Sequence, residues 1–259
     1  GGQPMQLYYM RKENIPVPVS AVVLMIVTIT YKLVLVVAGT GILVFGGGFR
    51  QQYLQGVLPV CYLGLMLNIV CVCFMAGLVF HPQLAENILL KGEEYLLKFR
   101  ILKRLKKRRQ KLQNAMQVYR ETAQYLKFHK KVLVLVVLFT FLQRFALFAV
   151  TWTVYRSFRL SGTGIWDIML LQAAIAVAVD MLPLPGGMGA SEALFLRIFA
   201  PVFGGGLLPA MVLSRGIGYY SELFISAVFT AAAQIYYTIK CGRNNTNESD
   251  EESTDDRFL

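Results

Sequence analysis

Five apolar runs, each near or beyond the roughly 20 residues that a helix needs to cross a hydrocarbon core of about 30 Å, leave this chain few ways to fold. They cover about Pro16 to Phe45, Val57 to Phe80, Val132 to Tyr155, Ile165 to Phe203 and Leu207 to Ile239. With 56% hydrophobic and only 16% charged residues, the 259-residue chain lacks the polar surface that a soluble domain of this length requires. The expected fold is all-α, a polytopic transmembrane helical bundle occupying residues 1–240, followed by a disordered acidic tail over 241–259.

Charge sharpens this picture. A net charge of +11 would suit nucleic acid if it were spread along the chain. Instead the segment 82–131 holds 14 Lys/Arg against 4 Asp/Glu, so +10 is concentrated in one loop. Such a loop belongs in the cytoplasm, beside anionic headgroups. Within it Leu105, Leu112, Met116, Tyr119, Ala123 and Leu126 recur at helical spacing, which predicts an amphipathic helix along the headgroups or against the bundle. A cytoplasmic loop 82–131 sends the second run inward and the third outward. If the fourth enters and returns on the outer side, the last runs inward. Lys240 and Arg243 then meet the same charge rule, and the sequons at Asn244 and Asn247 stay unglycosylated.

The fourth run is broken by Leu182-Pro183-Leu184-Pro185-Gly186-Gly187-Met188-Gly189. Proline removes amide donors and glycine weakens a helix, so these residues cannot form one regular span. Irregular backbone survives at membrane depth where protein surrounds it or where it lines a cavity. A re-entrant broken helix is therefore expected, with half-helix ends suited to an anionic group. The opening Gly1-Gly2-Gln3-Pro4 echoes Gly186-Gly187-Met188-Gly189, and each block is followed about 30 residues on by a basic residue, Lys32 or Arg215. Such a pair is what an internally repeated transporter presents. The chain starts in motif-like sequence without a methionine, which reads as a fragment.

Lys32, Arg144, Asp180, Glu192, Arg215 and Glu222 lie in or beside apolar runs. Each costs roughly 2.5–3.5 kcal/mol near the bilayer centre, so they are expected to face inward and pair, either to lock the bundle or to form a site. Arg144 and Arg215 are candidates for phosphate, Asp180 and Glu192 for a headgroup amine, and Pro183, Pro185, Gly186, Gly187 and Gly189 for the loop between them. Lys32, Gly2 and Gln3 are the first block's counterparts. His81 and His129 have no partners at metal spacing, and Cys61, Cys71, Cys73 and Cys241 form no disulfide or metal pattern. The block Gly46–Gly48 reads as a turn. No catalytic residue, cofactor or metal is expected.

Three motifs carry a resemblance: Gly1 to Gln6 (GGQPMQ), Pro183 to Glu192 (PLPGGMGASE) and Ser214 to Tyr220 (SRGIGYY). The sequence resembles, nearly to Lys240, the membrane region of the lysylphosphatidylglycerol synthase/flippase family, the bacterial multiple peptide resistance factors. The resemblance implies a bacterial plasma-membrane protein that binds and translocates phosphatidylglycerol carrying a lysyl group, so that cationic antimicrobial peptides are repelled. Full-type members also transfer lysine from lysyl-tRNA to phosphatidylglycerol with a cytosolic synthase domain, for which the residues after Lys240 leave no room. Lysyl transfer with a separate synthase domain or lysyl-tRNA partner, and a non-transporting membrane subunit, are the alternatives. Self-association into a homo-oligomer is compatible with each.

Overall fold

The computed structural model describes residues 2–45, 47–81, 83–84, 86–88, 105–182 and 187–255. Among them helices are the sole regular elements, as expected. They are α1 (Gly2–Lys12), α2 (Val17–Phe45), α3 (Leu58–Phe80), α4 (Leu105–Phe128), α5 (Lys130–Ser157), α6 (Ile165–Val179), α7 (Ala190–Ile198), α8 (Ala200–Phe203), α9 (Leu207–Arg215) and α10 (Ser221–Asp255). The chain forms two compact units, Gly1–Leu207 and Leu208–Leu259. Four stretches are long and apolar enough to cross a membrane: Val17–Val44, Leu58–Phe80, Lys130–Ser157 and Ala200–Thr238.

In the first unit, α1 turns back along α2 through a left-handed cap. Asn14 sits at φ 60, and its amide donates to the Arg11 carbonyl at 3.1 Å. The Ile15 amide donates to the Met10 carbonyl at 3.0 Å, which satisfies the last free carbonyls of α1. Asparagine tolerates this conformation, and Pro18 sits harmlessly in the opening turn of α2. Where the glycine block was expected to turn, Gly47–Phe49 forms one helical turn. A π turn over Arg50–Leu54 then leads on towards α3.

The amphipathic face of the basic segment packs on the bundle. Tyr119 and Ala123 are buried, and Tyr119 joins Val22, Ile26 and Val79 in a core extended by Met116, Leu126 and Leu133. The side chains of Leu105 and Leu112 lie outside the described residues. The Tyr119 hydroxyl donates to the Leu78 carbonyl at 3.0 Å, one of the terminal carbonyls of α3 that its own helix leaves unpaired. Burial pushes the Tyr119 phenol above its ordinary pKa, so it remains a donor at neutral pH. This cluster marks one end of the bundle: the first half of α2, the last turn of α3, α4 and the start of α5.

In the second unit α9 runs through a π turn, Gly216–Tyr220, into α10. α10 continues as helical backbone to Asp255. A running helix gains one hydrogen bond per added residue without a new nucleation cost, so it can carry weak helix formers along.

Tyr119→Phe should lower the stability of the first unit by about 1 kcal/mol, because it strands the partly buried Leu78 carbonyl. Thermal unfolding in detergent checks this; an unchanged midpoint would mean that α4 is not held through this bond.

Candidate headgroup site

Four helices bring polar side chains to one level of the apolar bundle. Lys32, Asn68 and Arg144 each lie near the middle of α2, α3 and α5. Asp180 follows the last residue of α6. α6 has only 15 residues, a length of about 22 Å against a hydrocarbon core of about 30 Å. It therefore ends level with the midpoints of its longer neighbours.

The centre is an ion pair. Lys32 Nζ donates to Asp180 Oδ2 at 2.6 Å, with side-chain exposures of 8% and 11%. The other carboxylate oxygen, Oδ1, accepts the Tyr31 hydroxyl at 2.7 Å. Lys32 Nζ also approaches Asn68 Oδ1 at 3.5 Å, while the Asn68 amide donates to the carbonyls of Gly64 (2.9 Å) and Val177 (3.4 Å). Asn68 thus satisfies one of the last carbonyls of α6, and the Lys32 ammonium faces the negative end of that helix. The approach of α3 to α6 depends on Gly64: a Cβ there would strike the Val177 carbonyl oxygen and come within 2.8 Å of the Ala178 Cα.

A second cation completes the cluster. The Arg144 guanidinium stacks over the Tyr31 ring, 4.3 Å from its centroid. Its Nε is buried without a hydrogen-bond partner among the described residues. No carboxylate lies within ion-pair distance of Arg144 among the described residues, so Lys32, Asp180 and Arg144 together carry one cation too many. Asp180 anchors Lys32 directly and Arg144 through Tyr31.

Asp180 is followed by a proline- and glycine-rich stretch. Pro183, Pro185 and Gly186 lie outside the described residues. Gly187 (φ +65) and Gly189 (φ +83) take left-handed conformations that favour glycine, and a Cβ at Gly187 would run into the Val179 side chain. The Gly189 amide donates to Glu192 Oε2 at 2.6 Å, and Ser191 Oγ donates to the same oxygen at 3.1 Å and to the Gly187 carbonyl at 2.9 Å. Glu192 therefore fastens the first turn of α7, as Asp167 does for α6 through the Gly164 amide at 3.3 Å. From there buried Phe195, Phe199 and Phe203 stack in succession. Phe203 meets Tyr155 and Phe158 edge to face, with centroids 5.6 and 6.2 Å apart. Tyr155 also accepts the Thr163 amide just before α6. Phe203 thus packs beside the corner where α5 ends and α6 begins.

Of the residues singled out in the sequence, Lys32, Asp180 and Arg144 converge, whereas Glu192 serves the fold of α7. Arg215 belongs to the second unit, where its guanidinium lies over the Tyr219 ring at 5.0 Å. Gly2 sits in the first turn of α1, and Gln3 Nε2 donates to Thr28 Oγ1 at 2.8 Å, one helical turn from Lys32. Sequence reading missed Tyr31 and Asn68. Asn68 is the one amide side chain in an otherwise apolar run, four residues after Gly64, and that isolation was its signal. Tyr31 looked like any aromatic in a membrane helix.

This architecture defines the class: a multi-pass helical membrane protein with a charged cluster at the end of a short helix inside the bundle. The chain belongs to the family described as the lysylphosphatidylglycerol synthase TM region, which matches residues 1–226. No curated protein sequence and no solved structure matches it.

Removing one member of the buried pair should be costly. Lys32→Met leaves Asp180 uncompensated and should destabilise the first unit by about 3–5 kcal/mol, while Lys32→Met with Asp180→Leu should recover much of that loss. Chemical unfolding in detergent checks this; single variants as stable as the wild type would remove the pair from the framework.

Proposed function

We propose that this membrane region binds a phospholipid headgroup at the Lys32–Asp180–Arg144 cluster and carries it across the bilayer, with aminoacylated phosphatidylglycerol as the preferred cargo. The single observation that carries this reading is the half-buried Arg144 guanidinium, which has no carboxylate within ion-pair distance among the described residues and is held on Tyr31 beside a buried ion pair. An unpaired cation there is expensive, and a phosphate that binds it bidentately would offset that cost. A headgroup amine has the chemistry of the Lys32 ammonium and would compete with it for Asp180. The displaced Lys32 would then be free to join Arg144 on the phosphate. Family membership supports the lipid class, since the family is named for a lysylated phosphatidylglycerol.

The re-entrant topology forms part of the same reading. The return of Phe203 to Tyr155 and Phe158 supports a hairpin that enters and leaves on one side of the membrane. The basic segment 82–131 then faces the cytoplasm, as does Lys240 after the last span. Outward movement of a lysylated lipid would replace anionic by cationic headgroups in the outer leaflet of a bacterial plasma membrane. Polybasic antimicrobial peptides would be less attracted to it.

The test uses the full chain in vesicles containing lysylphosphatidylglycerol, with outer-leaflet amines followed by a membrane-impermeant amine reagent. Wild type should speed exposure over protein-free vesicles. Arg144→Ala should abolish the gain with little change in unfolding midpoint, and Arg144→Lys should retain only part of it, since lysine lacks the bidentate fork. Equal rates with and without protein would overturn transport of this lipid.

A further inference from the structure

Next to the cluster lies an open groove of about 340 Å³, lined by Gln3, Pro4 and Leu7 of α1, Ala21, Leu24, Met25 and Thr28 of α2, and Met75 of α3. Its volume lies at the lower end of the range for small-molecule sites. Ala21, Leu24, Met25 and Thr28 follow one another at spacings of three, one and three, so they form one stripe of α2. That stripe continues, three and four residues further on, to Tyr31 and Lys32. The groove therefore runs along α2 towards the headgroup cluster, with the Gln3–Thr28 hydrogen bond at its inner end. Its outer end lies at Ala21, beside buried Val22 and Ile26, which pack with Tyr119 of the basic segment.

We propose that this groove seats one acyl chain of the phospholipid while its headgroup occupies the Arg144–Lys32 cluster, and that the lipid comes from the leaflet beside the basic segment. The proposal rests on the headgroup reading above and adds the tail subsite and the side of loading. Three observations select an acyl chain. The α2 and α3 walls belong to helices that are long and apolar enough to cross a membrane, so hydrocarbon is what they meet. The lining is apolar except for Gln3 and Thr28, and Met25 and Met75 are flexible side chains that adapt to an irregular chain. The one cationic excess among the described residues of the bundle's centre stands one turn beyond the inner end, where a phosphate joined to that chain would lie.

The experiment uses the full chain in phosphatidylcholine vesicles containing a trace of phosphatidylglycerol with a photoreactive diazirine in one acyl chain. Cross-linked peptides are compared between the groove (Leu24, Met25, Met75) and the exposed face of α5 (Leu138, Leu142), which reports on bulk lipid. Groove labelling should exceed that on α5 by roughly tenfold, one decade of affinity. Ala21→Trp or Leu24→Trp, each filling the groove, should remove the excess. Equal labelling of groove and α5 in the wild type would overturn the tail seat, whatever the variants do. If Arg144→Ala abolishes translocation while labelling is equal, the headgroup reading stands and the groove falls. If groove labelling is in excess but Arg144→Ala leaves translocation unchanged, the tail seat stands and the headgroup reading falls.

Discussion

The Lys32–Asp180 pair is the interaction on which the rest of the first unit depends. In an apolar bundle neither charge can stay buried alone, so α2 and the end of α6 must meet wherever both side chains are present. The pair fixes the level at which α6 stops. Asn68 holds the same level from α3 by occupying a terminal carbonyl of α6, and Arg144 holds it from α5 through the Tyr31 ring. Four helices are thus keyed to one another by polar contacts that lipid cannot replace.

Where α6 stops also sets what must follow it. A helix that ends inside the bundle leaves backbone groups that water does not reach, and they must be met by protein. Gly187 allows the chain to press against Val179, Glu192 and Ser191 fasten the first turn of α7, and Phe203 packs against Tyr155 and Phe158.

The spans were legible in the sequence because hydropathy and length alone decide them, and α2, α3 and α5 begin and end within two or three residues of the apolar runs. The burial of Tyr119 and Ala123 was legible too, because helical spacing places them on one face whatever that face meets. The need for Lys32, Asp180 and Arg144 to turn inward follows from the cost of charge in lipid. Their mutual arrangement did not, since Lys32 and Asp180 are 148 residues apart and only the packing of α2, α3 and α6 joins them. Glu192 shows a more local signal: an acid three residues after Gly189 carries the signature of a helix cap, and its carboxylate accepts the Gly189 amide.

In the topology proposed above, the chain between α5 and α9 dips to the level of Lys32 and returns to the side it came from. Single cysteines at Ser161, before α6, and at Gly205, after α8, test it in a chain whose own cysteines are replaced. Sealed vesicles of known orientation and a membrane-impermeant maleimide provide the readout, with Gln113→Cys in α4 marking the side of the basic segment. The account predicts that Ser161→Cys and Gly205→Cys react from one side and Gln113→Cys from the other. Labelling of Ser161→Cys and Gly205→Cys from opposite sides would mean that the segment crosses the membrane, contradicting the account.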